Sequence, residues 1–224
     1  MTWDLIIFDC DGVLVDSESI ANRLFSEMLG EIGLPMTYEE TIRQFMGCSM
    51  PAWVALIEER SSRPVPPGFV SDFYARLHAV FQRELYAVPG IISALDRISL
   101  PICVASNGTL TKMRTTLGLT GLLPRFEGRL FSATQVERGK PFPDLFLYAA
   151  QRMGAMTSHC AVIEDSPLGV QAGIAAGMQV FGYARLSGPD TLAASGARVF
   201  SDMEELPELL QTAAADRRSF TKTI

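Results

Sequence analysis

Apolar runs of strand length recur along the chain, and most are followed by a turn residue and then a helical pattern, an alternation that few folds accept. The runs are Leu5–Phe8, Ile102–Ser106, Leu130–Thr134, Cys160–Glu164, Gln179–Tyr183 and Arg198–Phe200. The helical patterns include Pro143–Met153, Pro167–Ala176 and Asp202–Ala214. Strands that alternate with helices imply an α/β fold, a parallel sheet with helices on both faces. In such sheets a ligand sits beyond the carboxyl ends of the strands, near the switch point of the strand order.

Residues 17–88 interrupt the alternation. Their apolar spacing predicts helices at Ser17–Ile32, Thr37–Met46, Pro51–Arg60 and Phe69–Tyr86 and no strand. This predicts two domains: a core formed by residues 1–16 and 89–224, and a small all-helical insertion over 17–88. Asp16-Ser17 is a plausible helix cap at the first crossing, and Val88-Pro89-Gly90 punctuates the return. The segment from Ser61 to Gly68 holds three prolines and reads as a stiff connector.

Several strands run directly into polar residues. Leu5–Phe8 ends in Asp9-Cys10-Asp11-Gly12. Side chains alternate along a strand, so the two carboxylates face one site and Cys10 the other side. Two nearby carboxylates in different environments can divide nucleophilic and acid–base work. A second strand ends in Ser106-Asn107-Gly108-Thr109, where a hydroxyl and backbone N–H groups at a helix start can hold an anion; alone this is also an ordinary turn. Lys140 lies in Gly139-Lys140-Pro141-Phe142-Pro143, a rigid mount for a cation that balances phosphate charge and keeps a carboxylate ionised. Asp144 reads as a first-turn acid favoured by the helix dipole. The fourth strand ends in Glu164-Asp165-Ser166. Two acidic strand ends can converge on Mg²⁺, which commonly takes one or two carboxylates together with waters and a substrate phosphate.

Composition excludes other classes. A net charge of −6 over 224 residues offers no basic face for nucleic acid or an anionic membrane. No run approaches the ~20 apolar residues of a membrane span, and no signal-like segment opens the chain. Cys10, Cys48, Cys103 and Cys160 form no C-x-x-C pair; buried, reduced thiols predict a cytoplasmic protein. Neither His78 nor His159 is placed to activate Ser106, so a Ser-His-Asp hydrolase is disfavoured, and Gly-rich nucleotide loops are absent from the first strand–helix turn.

Taken in order, DCDGVLVDSE at 9–18, SNGT at 106–109, GKPFPD at 139–144 and IEDS at 163–166 resemble the haloacid dehalogenase superfamily. The resemblance is to its phosphatase and β-phosphoglucomutase-like branch, with a helical cap after the first strand, and covers essentially the whole chain. It implies a Rossmann-like core in which Asp9 attacks phosphorus to form an aspartyl-phosphate and Asp11 serves as acid and then base. It further implies Mg²⁺ held by Asp9, the Asp11 carbonyl and Asp165 with support from Glu164, phosphate bound by Ser106 and the Asn107 N–H, Lys140 paired with both, and a cap that closes to exclude water. Asp16 reads instead as a cap or hinge at the start of the insertion.

Departures narrow the reaction. Dehalogenases of the superfamily lack the second Asp, and phosphonate hydrolases use a cap lysine; here Asp11 is present and the insertion contains no lysine. Mutases of the β-phosphoglucomutase type carry a His and a cap-loop Arg where this chain has Ala21 and Met50 of Gly47-Cys48-Ser49-Met50. The resemblance therefore implies hydrolysis of a small phosphorylated metabolite, a sugar phosphate or sugar-acid phosphate, with a phosphohexose mutase as the alternative. The expected state is a monomer or weak homodimer. Candidate substrate selectors are Phe45–Met50 and the helical arginines Arg43, Arg76 and Arg83.

Overall fold

The computed structural model describes residues 3–45 and 50–221. The chain divides into two compact units, one formed by Met1–Asp16 with Tyr86–Ile224 and the other by Ser17–Leu85.

The first unit is built on a six-stranded parallel sheet: β1 (Leu5–Phe8), β2 (Ile102–Ser106), β3 (Leu130–Ser132), β4 (Cys160–Glu164), β5 (Gln179–Tyr183) and β6 (Arg198–Phe200), in the order β3-β2-β1-β4-β5-β6. The chain works outward from β1 to one edge and then, from β4, to the other. The switch point therefore lies at β1, where dinucleotide-binding folds of this strand order place their ligands. All four residues of β1 are buried, as its unbroken apolar run requires of a central parallel strand. Leu5 and Ile7 join Leu145, Phe146 and Ala149 on one face, whereas Phe8 meets Phe126 edge-on at 6.2 Å on the other.

Helices α5 (Ile91–Arg97), α6 (Leu110–Leu119), α7 (Leu123–Phe126), α8 (Asp144–Arg152), α9 (Pro167–Ala175), α10 (Pro189–Ala194) and α11 (Leu206–Thr221) complete this unit, after the four helices of the second. The strand expected over Leu130–Thr134 stops at Ser132. There the Ser132 Oγ accepts from the Thr134 N–H at 3.1 Å, and Gln135 Oε1 accepts from the Ser132 N–H at 2.8 Å, a capping box that turns the chain into a short 3₁₀ segment. Tyr86–Val88 fall with this unit, earlier than the expected return at Pro89. The Asp16 N–H donates to the Tyr86 carbonyl at 3.0 Å, and Val15 bridges antiparallel to Ala87.

The second unit holds α1 (Ser17–Glu31), α2 (Tyr38–Phe45), α3 (Met50–Ser61) and α4 (Phe69–Glu84). It has its own core, in which Phe25 packs against Phe45, Trp53, Phe69 and Phe73. The Trp53 Nε1–H caps the Phe45 carbonyl at 2.8 Å. Arg76, weighed as a substrate selector, pairs with Glu31 at 2.7 Å on the exposed face of this unit. The remaining selector segment lies largely at 46–49, outside the described residues. Among the described residues, no helix is long and apolar enough to cross a membrane, and Cys10, Cys103 and Cys160 are buried free thiols.

Candidate active site

The carboxyl ends of β1, β2 and β4 meet at the switch point. Asp9 continues β1, its N–H donating to the Ile163 carbonyl at 2.9 Å, and its side chain is buried. Cys10 turns to the other side, toward Thr116. The chain then folds back through a tight turn closed by the Gly12 N–H on the Val15 carbonyl at 2.9 Å. Gly12 has φ +80°, and a Cβ there would lie 2.0 Å from Asp165 Oδ2. Only glycine supplies both that conformation and that space, and its absence of a side chain lets the β4 carboxylate approach the backbone of the β1 loop.

Lys140 reaches this centre from the loop before α8. Its Nζ donates to Asp9 Oδ1 at 2.5 Å and to Glu164 Oε1 at 2.6 Å, and it lies 5.0 Å from the centroid of the Phe146 ring. The mount predicted from the flanking glycine and prolines has a further brace. Asn107 Oδ1 accepts from the Lys140 N–H at 2.9 Å, and Asn107 Nδ2 donates to the Lys140 carbonyl at 3.2 Å. The resemblance implicates only the Asn107 N–H, whereas the Asn107 side chain holds Lys140 in place. Asp144 pairs with Arg138 at 3.1 Å in the first turn of α8, apart from this centre's ion pairs.

Glu164, expected to support a metal or its waters, is held by protein contacts at both of its oxygens. While Oε1 faces Lys140, Oε2 accepts from the Asp165 N–H and Ser166 N–H, both at 3.0 Å, and from Ser166 Oγ at 2.9 Å. Asp165 is buried, and its carbonyl accepts from Ser187 Oγ at 2.5 Å. Ser106 is buried at the end of β2, its Oγ accepting from the Gly108 N–H at 3.0 Å. A Cβ built on Gly108 would lie 3.3 Å from Ser106 Oγ and 3.8 Å from Asp11 Oδ2, so the second and first motifs share one space.

Lys112, which no sequence motif singles out, also reaches the centre. Its Nζ donates to Asp11 Oδ2 at 2.8 Å. The signal available was a lysine in the first turn of α6, where the helix dipole disfavours a cation. His159, by contrast, pairs with Asp4 at 2.9 Å before the start of β1, at the opposite end of the sheet.

The electrostatics of the centre are those of crowded, buried charge. The Asp9 carboxyl is pushed up to about 7, chiefly by burial, with Lys140 opposing the rise and Glu164 and Asp11 adding to it. Burial opposes the Lys140 ammonium, but the Asp9 and Glu164 carboxylates outweigh it and hold the group above its ordinary range. A divalent cation would relieve this excess of negative charge. Among the described residues, no three His, Cys, Asp or Glu side chains form a ready cage. Mg²⁺ needs no such cage, because it binds through one or two carboxylates, a carbonyl, waters and substrate phosphate. The buried Asp9 and Asp165, with Asp165 against the Gly12 backbone, fit that donor set.

The chain is similar to known proteins over most of its length. The family model for haloacid dehalogenase-like hydrolases matches residues 3–177. The chain is 32% identical to the 6-phosphogluconate phosphatase of Escherichia coli K12, over 92% of this chain and 94% of that one. Among solved structures, a conserved haloacid dehalogenase-like protein of unknown function from Agrobacterium tumefaciens superposes with a TM-score of 0.89 at 35% identity, covering 95% of this chain and 99% of its own. A haloacid dehalogenase-family hydrolase from Deinococcus radiodurans, solved with bound phosphate and sodium, gives a TM-score of 0.80 at 31% identity over 91% and 93%.

Proposed function

The chain belongs to the haloacid dehalogenase-like hydrolases, and from that premise we propose that it is a Mg²⁺-dependent phosphatase of a phosphorylated sugar or sugar acid, working through an aspartyl-phosphate on Asp9. The observation that carries this reading is the bridge from Lys140 to Asp9 and Glu164, which fixes a buried carboxylate at the switch point next to a cation. The name of the Escherichia coli relative supports the substrate class.

An Asp9 oxygen attacks phosphorus, and the bond to the leaving oxygen breaks. Asp11 gives that oxygen its proton, releasing the alcohol. Asp11 then takes a proton from the water that attacks the aspartyl-phosphate, freeing inorganic phosphate and restoring both carboxyl groups. Lys140 holds Asp9 in position and offsets phosphoryl charge, while Ser106 and the Asn107 N–H bind phosphoryl oxygens. Glu164 orients Lys140 and the Asp165 backbone through the contacts of its two oxygens. Mg²⁺ would be held by Asp9, Asp165 and the Asp11 carbonyl, and when bound supplies the positive charge that lets a carboxylate approach an anionic phosphoryl group.

Phosphate release from a panel of sugar phosphates and sugar-acid phosphates, with Mg²⁺ and with chelator, tests the proposal, with Asp9→Asn as the blank. The expected result is metal-dependent release that disappears in the folded Asp9→Asn protein. A fully active Asp9→Asn, or conversion of glucose 1-phosphate to glucose 6-phosphate with little free phosphate, would overturn it.

A further inference from the structure

The chemistry of Asp9, Asp11 and Lys140 makes no use of Lys112, although its ammonium ends on the carboxylate proposed to serve the leaving group. The chain has three lysines, Lys112, Lys140 and Lys222. Both that lie among the described residues end on carboxylates of the β1 loop, and their situations differ. The Lys140 side chain is 4% exposed and shared between two carboxylates, whereas that of Lys112 is 43% exposed and that of Asp11 15%.

Lys112 stands in the first turn of α6, where Thr109 is the N-cap and accepts from the Lys112 N–H at 3.2 Å. The helix dipole disfavours a cation there, so helix stability does not explain the residue. Its stem crosses the space over Gly108: a Cβ at that position would meet Ser106 Oγ at 3.3 Å, Lys112 Cδ at 3.4 Å and Asp11 Oδ2 at 3.8 Å. Ser106 belongs to the phosphoryl side and Asp11 to the leaving oxygen. The ammonium therefore sits where the departing alcohol begins, on a flexible four-carbon stem with three donors. A leaving group with its own negative charge would otherwise meet Asp11 in a chain of net charge −6.

We propose that Lys112 is a specificity-determining residue that receives a carboxylate on the leaving group, so that phosphorylated sugar acids are preferred over the corresponding phosphorylated alcohols. The proposal rests on the phosphatase reading of Asp9 and Asp11 and deepens it by naming the substrate class.

Matched substrates isolate the charge. 6-Phosphogluconate and sorbitol 6-phosphate differ only by a carboxylate in place of a CH₂OH group, as do 3-phosphoglycerate and glycerol 1-phosphate. In the wild-type protein with Mg²⁺, kcat/KM is expected to favour the acid of at least one pair by about tenfold or more, as a charge-assisted hydrogen bond provides. In Lys112→Met and Lys112→Gln that ratio falls to near unity, mainly through KM, whereas Lys112→Arg keeps most of it. Any loss common to acid and alcohol reports the contact with Asp11 and cancels in the ratio. Calorimetric binding of each pair to Asp9→Asn and to the Asp9→Asn, Lys112→Met double variant should show the same change without turnover.

An acid preference absent from both pairs in the wild type, or one that survives unchanged in Lys112→Met and Lys112→Gln, overturns the proposal. If p-nitrophenyl phosphate is hydrolysed with Mg²⁺ and only the preference is missing, this inference alone fails. No metal-dependent release from any substrate, p-nitrophenyl phosphate included, brings down the phosphatase reading itself.

Discussion

Lys140 Nζ lies 2.6 Å from Glu164 Oε1, and both side chains are almost wholly removed from solvent. The other Glu164 oxygen accepts three further hydrogen bonds, so the carboxylate is fully engaged at the end of β4. Glu164→Gln would remove the charge and turn an amide N–H₂ toward either Lys140 or the Asp165 and Ser166 N–H groups. Breaking a buried pair from one side costs about 3–5 kcal/mol. Urea unfolding is expected to show a loss of that order, with phosphatase activity reduced as Lys140 loses its second anchor. An unchanged unfolding midpoint would mean that Glu164 is not the anchor described.

The approach of Asp165 to Gly12 ties the proposed metal donor to the turn after β1. A Cβ at Gly12 would meet Asp165 Oδ2 at 2.0 Å, and the backbone there has φ +80°. Gly12→Ala is therefore expected to push Asp165 away and strain the turn, costing roughly 1–3 kcal/mol of stability. Titration calorimetry with Mg²⁺ should show affinity lowered by about tenfold or more, since disturbing even the groups that orient a metal ligand typically costs that much. Retention of wild-type affinity would remove Asp165 from the proposed donor set.

Asp9 gives the cation a pH dependence of defined sign. In the cation-free protein burial places its carboxyl at about 7, against an ordinary value of 3.8. A metal ligand must be ionised, so protons compete with Mg²⁺ below pH 7. Apparent affinity is expected to fall about tenfold from pH 8 to pH 6, with net proton release on binding. The native state also holds this proton more firmly than the unfolded chain, so without cation the contribution of Asp9 to stability declines as pH rises from about 4 through 7. Mg²⁺ should accordingly raise the melting temperature more at pH 8 than at pH 6. Equal shifts at both values would exclude Asp9 as a ligand with a raised pKa.

Much of the fold was legible because apolar runs and turn residues are local signals. β1, β2, β4, β5 and β6 have the bounds of their apolar runs, and polar residues end β1, β2 and β4, the strands that meet at the switch point. What was not legible depends on contacts between distant segments. Asn107 braces Lys140 across 33 positions, and Lys112 meets Asp11 across 101. No spacing rule connects those residues; only the sheet order brings β1 beside β2 and turns the start of α6 toward the β1 loop. β3 ends before its apolar run predicts, for a related reason. Thr134 is β-branched and suits a strand, but the Ser132 side chain offers its N–H a capping partner at 3.1 Å and the strand ends.

Asp16 belongs to the same class of long-range contact, since a sequence reading makes it a cap or hinge. The structure buries its side chain completely and places Oδ2 2.6 Å from Arg185 Nη2, in the loop after β5. That hydrogen bond, with the Asp16 charge, more than offsets burial and raises the Arg185 guanidinium above its ordinary range. Arg185→Met removes the cation and leaves the carboxylate buried, which should cost about 3–5 kcal/mol by chemical denaturation. Asp16→Asn removes the charge while keeping the shape. Because a buried pair replaced on both sides is often near neutral, the Asp16→Asn, Arg185→Met double variant is expected to be more stable than the sum of the single losses predicts. A coupling energy of about 1 kcal/mol or more in this cycle would identify the pair as the tie between the first crossing and the β5 loop. Additive losses would show that the two residues stabilise the chain independently.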